Sequence, residues 1–169
     1  MLINIEQASA NASIATLLRV SDALGIGLPA LVDTGRSPVL RVTRSGHAPV
    51  LWRGPSGGSA LLVAGTEPPD VVELWDWALA PGESYDSEAH AAGTRELLLV
   101  LDGQVQVQVG EMAEVLDAGD SAAFGGDIHH SYANPASGPG AVHARFTLTV
   151  FEPHVGPSDG AGQATNHRT

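Results

Sequence analysis

The sequence predicts a mainly β fold, a small antiparallel sandwich or barrel preceded by two short α-helices. From Val39 onward, short apolar or alternating runs are divided by turns rich in Gly, Pro and Asp, which is typical of all-β domains. Before that point, apolar residues recur at helical spacing. Residues 34–40 contain Gly, Ser and Pro and are interpreted as a linker. The chain of 169 residues is 43% hydrophobic, which suits one domain with a real core and a short appendage.

The helical part is predicted to contain one clear helix and one very short one. The first helix has an apolar face with members spaced three and four residues apart: Ile14, Leu17, Leu18, Ser21 and Leu24. Ser13 can cap its start, and Gly25 suits the left-handed residue that ends a helix. Residues 28–32 are predicted to form the second helix. Two helices this short cannot bury both apolar faces by themselves, so they need further protein around them.

The β part is predicted from its runs and turns. The strand-like runs are VLRVT, APVLW, SALLVA, VVELWDWALA, ELLLVL, QVQVQV and VHARFTLTVF. QVQVQV alternates strictly, so we expect one buried and one exposed side. The Asp102-Gly103 pair lies between two runs and predicts a β-hairpin turn. Residues 154–169 carry no pattern and are expected to form a disordered tail.

Composition and charge exclude several classes of protein. The chain has no cysteine, so metal ligands must come from His, Asp or Glu. Its net charge is −11, and the acids concentrate after residue 53, so the β part should repel nucleic acid, whereas the mildly basic start should not. No apolar run approaches the length of a membrane span, and no signal peptide is recognisable. We therefore expect a cytoplasmic protein without membrane contact.

Two segments, 81–103 and 118–135, combine turns, acids and histidines next to strands, and their spacing resembles the two signatures of the cupin superfamily. The first signature is matched at Gly82, His90, Glu96 and Gly103, with Glu88 in place of its first histidine and a spacer one residue longer. The second is matched at Gly119, His130 and Asn134, with Gly125 and Asp127 in place of its Pro and inner Gly. The resemblance implies a cupin-type small β-barrel (a double-stranded β-helix, or jelly roll) over residues 41–153.

The resemblance and strand geometry together predict which side chains meet inside the barrel. The signature selects His130 rather than His129, and alternation along a strand then points His130 and Tyr132 to one side. By the same rule Glu88 shares a face with His90. Carboxylates and imidazoles that converge in an interior need a cation or hydrogen bonds.

The candidate ligands of a divalent ion such as Zn, Mn, Fe or Ni are His90, Glu96, His130 and Glu88. In the alternative, these groups hydrogen-bond to one another or to a ligand, without metal. Trp75 and Trp77 share a strand face, so they either pack in the core or line a ligand cavity with Tyr132. The remaining histidines are expected to be surface or packing residues: His47, His129, His143, His154 and His167.

The N-terminal stretch resembles the closing half of a lambda-repressor-like (Xre-type) helix-turn-helix domain. The matching residues are Leu2, Ile5 and Glu6 at a helix end, Asn11 and Ser13 in a turn, and Leu17, Leu24, Gly25 and Ile26 in the next helix. Ala12 stands where this family has Pro, and Ser21 where it has Ala. Because the match begins near the end of the recognition helix, we expect residues 1–33 to be an N-terminally truncated DNA-binding domain that binds DNA poorly.

Together, the two resemblances imply a bacterial transcriptional regulator with a C-terminal cupin. In that family the cupin binds a small-molecule effector and the full-length protein binds DNA as a homodimer. We expect no enzymatic activity and assign no DNA-contacting residue. The alternatives are a stand-alone metal-dependent cupin enzyme, of the dioxygenase or isomerase type, and a purely structural dimer module whose interior is filled by side chains.

Overall fold

The structure is a computed structural model that describes residues 14–32 and 40–155. Two helices come first, α1 (Ile14–Leu24) and α2 (Leu28–Val32). The strands follow in the order β1 (Val50–Arg53), β2 (Ser59–Gly65), β3 (Val71–Leu79), β4 (Ser84–Ser87), β5 (Arg95–Asp102), β6 (Gln104–Val109), β7 (Met112–Asp117), β8 (Ser121–Gly125), β9 (His130–Ala133) and β10 (Ala144–Glu152). The mainly β class is therefore confirmed.

The strands form two antiparallel sheets that share a core. One sheet has six strands in the order β1-β2-β3-β10-β5-β8, and the other has four in the order β4-β9-β6-β7. Among the described strands, hydrogen bonding stops at β1 and β8 in the first sheet and at β4 and β7 in the second. The architecture is therefore two sheets packed together, and not a barrel closed by one continuous set of hydrogen bonds.

The prediction of a β-hairpin at Asp102-Gly103 is wrong. β5 pairs with β8 and β10, whereas β6 pairs with β7 and β9, so this turn carries the chain from one sheet to the other. Gly103 has a φ of 70°, and a Cβ atom there would lie 2.8 Å from the carbonyl oxygen of His143. The glycine thus permits a tight crossover between sheets. The hairpin of this region lies further on, where Val109 pairs with Met112 across Gly110 and Glu111.

Several predicted strands are present, and one is not. The described part of the run VLRVT, residues 40–43, forms no strand, and the first strand begins only at Val50. Its apolar members are exposed accordingly, Leu40 by 77% and Val42 by 56%. QVQVQV is β6, and its alternation is as expected, with Val105 and Val107 buried.

The centre of the core lies where β3 and β10 run side by side. Alternate residues of both strands face inward, and Trp77 of β3 is directly opposite Phe146 of β10. Their rings stack with centroids 5.8 Å apart and planes 5° apart. Burial of large aromatic side chains makes this pair a major source of core stability.

Both helices pack against the β part, which supplies the burial that they lack alone. Ile14 of α1 and Leu28 of α2 are buried in the same core as the strands. α1 ends at Leu24, and Gly25 adopts a φ of 63° as predicted. Leu24 itself is 59% exposed, so it does not belong to the buried face. The predicted cap Ser13 lies outside the described residues.

No helix in the described ranges is long and apolar enough to cross a membrane.

Candidate functional site

Three elements bring one histidine–carboxylate cluster together inside the cupin-like fold. His90 lies in the loop between β4 and β5, Glu96 lies on β5, and His130 begins β9. The backbone N–H of His90 donates a 2.9 Å hydrogen bond to the carbonyl of Gly126, which ties that loop to the segment after β8. One ligand-type atom from each of the three side chains lies within 4.8 Å of the other two.

The contacts within the cluster meet at one oxygen of Glu96. Its Oε1 atom is 3.1 Å from Nε2 of His130 and 3.2 Å from Nε2 of His90. Glu96 and His130 are fully buried, and the His90 side chain is 12% exposed. The cluster therefore lies in the interior, and one of its members remains within reach of solvent.

A backbone hydrogen bond fixes the orientation of the His130 ring. Its Nδ1 atom lies 2.7 Å from the carbonyl oxygen of Ile128, which can only accept, so Nδ1 carries a proton. Nε2 then faces the cluster either as a free lone pair or as part of an imidazolium. A ring held this way through its other nitrogen is the usual arrangement of a metal-binding histidine.

The residues fit a divalent metal ion on two observations. Two imidazoles and one carboxylate are donors that Zn, Mn, Fe or Ni accept. In addition, Glu96 Oε1 and His130 Nε2 are buried and lack a well-aligned hydrogen bond to any described residue, although they are only 3.1 Å apart. Donor atoms about 3 Å apart that are in contact but not aligned for a hydrogen bond have the spacing of ligands around a common ion.

The electrostatics of the cluster favour an ionised Glu96. Burial acts to raise the pKa of Glu96, but close contacts from His130 and His90, the charge of His130 and the hydroxyl of Tyr132 outweigh it and lower the pKa to about 2. Burial likewise opposes the charged form of His130, but Glu96 and the Ile128 carbonyl together raise the pKa of His130. Without a metal, these shifts favour a carboxylate on Glu96 and the protonated form of His130.

Tyr132 and Gly126 hold the carboxylate of Glu96 in place. The Tyr132 hydroxyl donates a short hydrogen bond to Oε2 of Glu96, and Tyr132 is 1% exposed. A Cβ atom on Gly126 would lie 2.9 Å from Oε1 of Glu96 and 2.9 Å from Thr94. Gly126 is thus required at this position by close approach rather than by its backbone conformation.

Glu88, the fourth candidate ligand, does not join the cluster. β4 ends at Ser87, so Glu88 and His90 lie in a loop, where the strand rule that placed them on one face does not apply. Glu88 is exposed and lines a cleft between that loop and α1. His129 is exposed as well, whereas its neighbour His130 is 1% exposed.

The other histidines and Asn134 lie away from the cluster. His47, His143 and His154 are exposed, and His167 lies outside the described residues. Asn134, matched in the second signature, is a structural residue: its side-chain amide donates to the carbonyls of Leu79 and Val142, and its oxygen accepts from the N–H of Ala136.

A small cavity adjoins the cluster. It encloses about 30 Å³, enough for one or two water-sized groups. Its walls come from both sheets and from α1, and the residues that line it include Trp75, Trp77, Tyr85, His90, Glu96 and Tyr132. Trp75 and Trp77 therefore both pack in the core and face this space. Ile14 and Leu18 of α1 form another part of the wall.

Glu73 is a cavity residue that the sequence analysis missed. It lies on the inner face of β3, is 2% exposed, and lines the cavity. Trp75 Nε1 donates a 2.9 Å hydrogen bond to its Oε2, while Oε1 has no partner among the described residues. The alternation of VVELWDWAL could have revealed it, because that pattern places Glu73 on the same face as Trp75 and Trp77.

The cupin-domain family profile matches residues 75–151, a range that contains His90, Glu96, His130 and Tyr132. The HTH-type transcriptional regulator SutR of Escherichia coli (strain K12) is 28% identical over 146 residues, which are 85% of this chain and 75% of SutR. That similarity extends beyond the family profile toward the N-terminus.

Two solved structures are similar to this chain. An HTH_3 family transcriptional regulator from Vibrio cholerae aligns with a TM-score of 0.59 and 23% identity, covering 90% of this chain and 79% of that protein. The cupin domain of an XRE family transcriptional regulator from Enterobacter cloacae is 26% identical with a TM-score of 0.45, covering 48% of this chain and 82% of that one. The similarity to the Vibrio cholerae structure supports the fold alone.

Proposed function

Because the cupin-domain family profile matches residues 75–151, we propose that this chain is a bacterial transcriptional regulator whose cupin domain senses a small-molecule effector. The cupin domain spans residues 41–153 in this proposal, and residues 1–33 are the C-terminal part of a helix-turn-helix DNA-binding domain. Residues 34–40 link the two, and residues 154–169 form a tail. The first two tail positions are anchored, since His154 N and Val155 N bond to Asp70 and Pro69.

The similarity to SutR carries the proposal. It covers 146 residues, whereas the cupin profile covers only 75–151, so resemblance to a regulator extends into the helical part of the chain. A free-standing cupin enzyme has no reason to share that part. The proposed partners are therefore an effector in the cupin and DNA at the N-terminal domain, with two copies of the chain reading two half-sites in the cytoplasm.

The effector site in this proposal is the cavity next to the histidine–carboxylate cluster. His90, Glu96 and His130 would hold a divalent ion, which would supply a Lewis acid that polarises an oxygen atom of the effector. α1 forms one wall of the cavity through Ile14 and Leu18. A ligand in the cavity would therefore contact α1, which belongs to the proposed DNA-binding segment.

Metal binding can be tested by equilibrium dialysis of the purified protein against Zn, Mn, Fe and Ni, followed by elemental analysis. We expect about one equivalent in the unchanged protein, and less than about a tenth in His130→Ala, because the buried nitrogen ligand is lost. His129→Ala is the matched control, since its side chain is exposed and it should retain the metal. Equal metal content in the two variants would refute this site.

DNA binding can be tested by selection of genomic fragments on the full product of the gene that encodes this chain. Enrichment of one short motif with two half-sites is expected, and it should weaken steeply as salt increases. Failure to enrich any motif at low salt would contradict the regulator proposal and leave the metal result standing.

The enzyme alternative is favoured by one observation, three donors that converge beside a cavity. A metal-dependent cupin enzyme of the dioxygenase or isomerase type needs such donors and an open coordination position. It predicts turnover that is lost in His130→Ala, together with no selection of DNA. The regulator proposal predicts the opposite pair of results.

A further inference from the structure

The cavity has a second polar end, which the metal cluster does not use. Glu73 lies there on β3, next to Glu152 on the inner face of β10. In the ladder, Val71 is opposite Glu152 and Glu73 is opposite Val150, so the two acids are diagonal neighbours. They are 2% and 6% exposed, respectively. A carboxyl group buried as deeply as that of Glu73 needs a physical explanation.

The environment of Glu73 is incomplete without a ligand. Its Oε2 atom accepts from Trp75, but the buried Oε1 atom has no partner among the described residues. Burial first, and then the charge of Glu152, raise the pKa of Glu73 to about 8. A cation in the cavity would complete the hydrogen bonding of Oε1 and offset the repulsion between the acids.

The walls around Glu73 also favour a cation over an anion. The acids that line the cavity are Glu73 and Glu96, of which Glu96 is in contact with two histidines, and no Lys or Arg lines the cavity in the described part of the chain. Three aromatic rings are close to one another: Trp75 and Trp77 are 6.1 Å apart, and Trp77 and Tyr85 are 4.8 Å apart. Aromatic faces attract ammonium groups, most strongly where water is excluded.

We propose that this end of the cavity binds the ammonium group of a small organic amine, with Glu73 as its charge partner and the rings of Trp75 and Trp77 around it. The inference rests on the proposed effector-sensing function and names the chemical class of the effector. A cavity of about 30 Å³ takes a cation of about two heavy atoms. A longer amine has to displace Leu18. Because Leu18 belongs to α1, binding of such an amine would move this helix.

The test uses methylammonium chloride and the indole N–H signals of the protein in two-dimensional ¹H–¹⁵N NMR, with a chelator present to remove metal. The chain has three tryptophans, so the Trp75 signal can be assigned with Trp→Phe variants. We expect a saturable shift of the Trp75 indole, with a dissociation constant on the order of 10 mM for so small a ligand. Acetamide and sodium chloride, at equal concentrations, should cause no such shift.

Glu73→Gln is the decisive variant, because it keeps the shape of the side chain and removes its ability to ionise beside a bound cation. We expect it to weaken methylammonium binding at least tenfold, while Glu67→Gln, a change on the exposed surface, leaves the affinity unchanged. Leu18→Ala should admit propylammonium, which the unchanged protein binds less well. Circular dichroism checks that each variant is folded.

Three results would overturn the proposal: no saturable shift in either the unchanged protein or Leu18→Ala, equal shifts with acetamide, or unchanged affinity in folded Glu73→Gln. The last two would mean that the cavity holds water or a neutral ligand at this end. Metal and DNA binding are measured separately, so a protein that binds both but not methylammonium refutes this inference and leaves the proposed function intact.

Discussion

Two buried glutamates in one cavity behave in opposite ways. Glu96 is fully buried and its pKa is lowered to about 2, whereas Glu73 is 2% exposed and its pKa is raised to about 8. Burial opposes ionisation in both cases. The difference is in the partners: two imidazoles and a tyrosine hydroxyl surround Glu96, while Glu73 has one indole N–H and a nearby acid. Neighbouring groups, rather than depth, decide the charge of a buried carboxyl.

The comparison predicts that loss of the Glu96 charge has the largest effect on stability. Glu96→Gln removes the negative partner of the buried His130 and should lower the free energy of unfolding by about 3–5 kcal/mol. Urea unfolding at neutral pH with a chelator present measures this. Glu67→Gln is the control, because its partner Arg41 is 3.5 Å away on the surface and its loss should cost about 1 kcal/mol or less. A cost for Glu96→Gln as small as that of the control would mean that the cluster is not an ion pair.

Ionisation of Glu73, in contrast to that of Glu96, should lower the free energy of unfolding. The effect should appear in the pH dependence of stability. Its folded pKa of about 8 is above the ordinary value of 4.5, so the stability it contributes is present below pH 4.5 and is lost as the pH rises toward 8. Glu73→Gln removes this loss. Between pH 5 and pH 7 the variant should gain about 1.4 kcal/mol per pH unit relative to the unchanged protein, about 3 kcal/mol in all.

Urea unfolding of both proteins at several pH values measures the difference. Other titrating groups are common to both proteins and cancel in the comparison. Parallel stability curves would show that Glu73 ionises normally in the folded state, and the contrast with Glu96 would then be wrong.

A smaller effect is expected from Tyr132→Phe, which removes one hydrogen bond to Glu96 and keeps the ring. A hydrogen bond to a charged acceptor contributes about 1.5–3 kcal/mol, so the variant should lose about 2 kcal/mol at neutral pH. The folded pKa of Glu96 is below its ordinary value of 4.5, so the stability of its ionised form is present above pH 4.5 and is lost as the pH falls toward 2. The difference between the two proteins should therefore shrink in acid, and a pH-independent difference would point to altered packing instead.

The sequence predicted correctly those structural features that depend on the periodicity of apolar residues. Alternation in QVQVQV gave the buried side of β6, and helical spacing gave α1 and the glycine at its end. The pairing of Asp102-Gly103 was mispredicted, because an Asp-Gly turn fits both a hairpin and a crossover between sheets, and only long-range pairing separates them. Glu88 was misplaced for a related reason, since alternation holds only within a strand and β4 ends one residue earlier.

The sequence by itself determined the mainly β class, the helical start and the buried side of β6, because these depend on local spacing and turn residues. Only the tertiary structure decided that His90, Glu96 and His130 meet at one oxygen, that Glu73 shares their cavity, and that α1 forms its wall. Apart from His90 and Glu96, these residues are far apart along the chain, and their approach depends on which strands pair and how the two sheets pack. No local pattern encodes those distances.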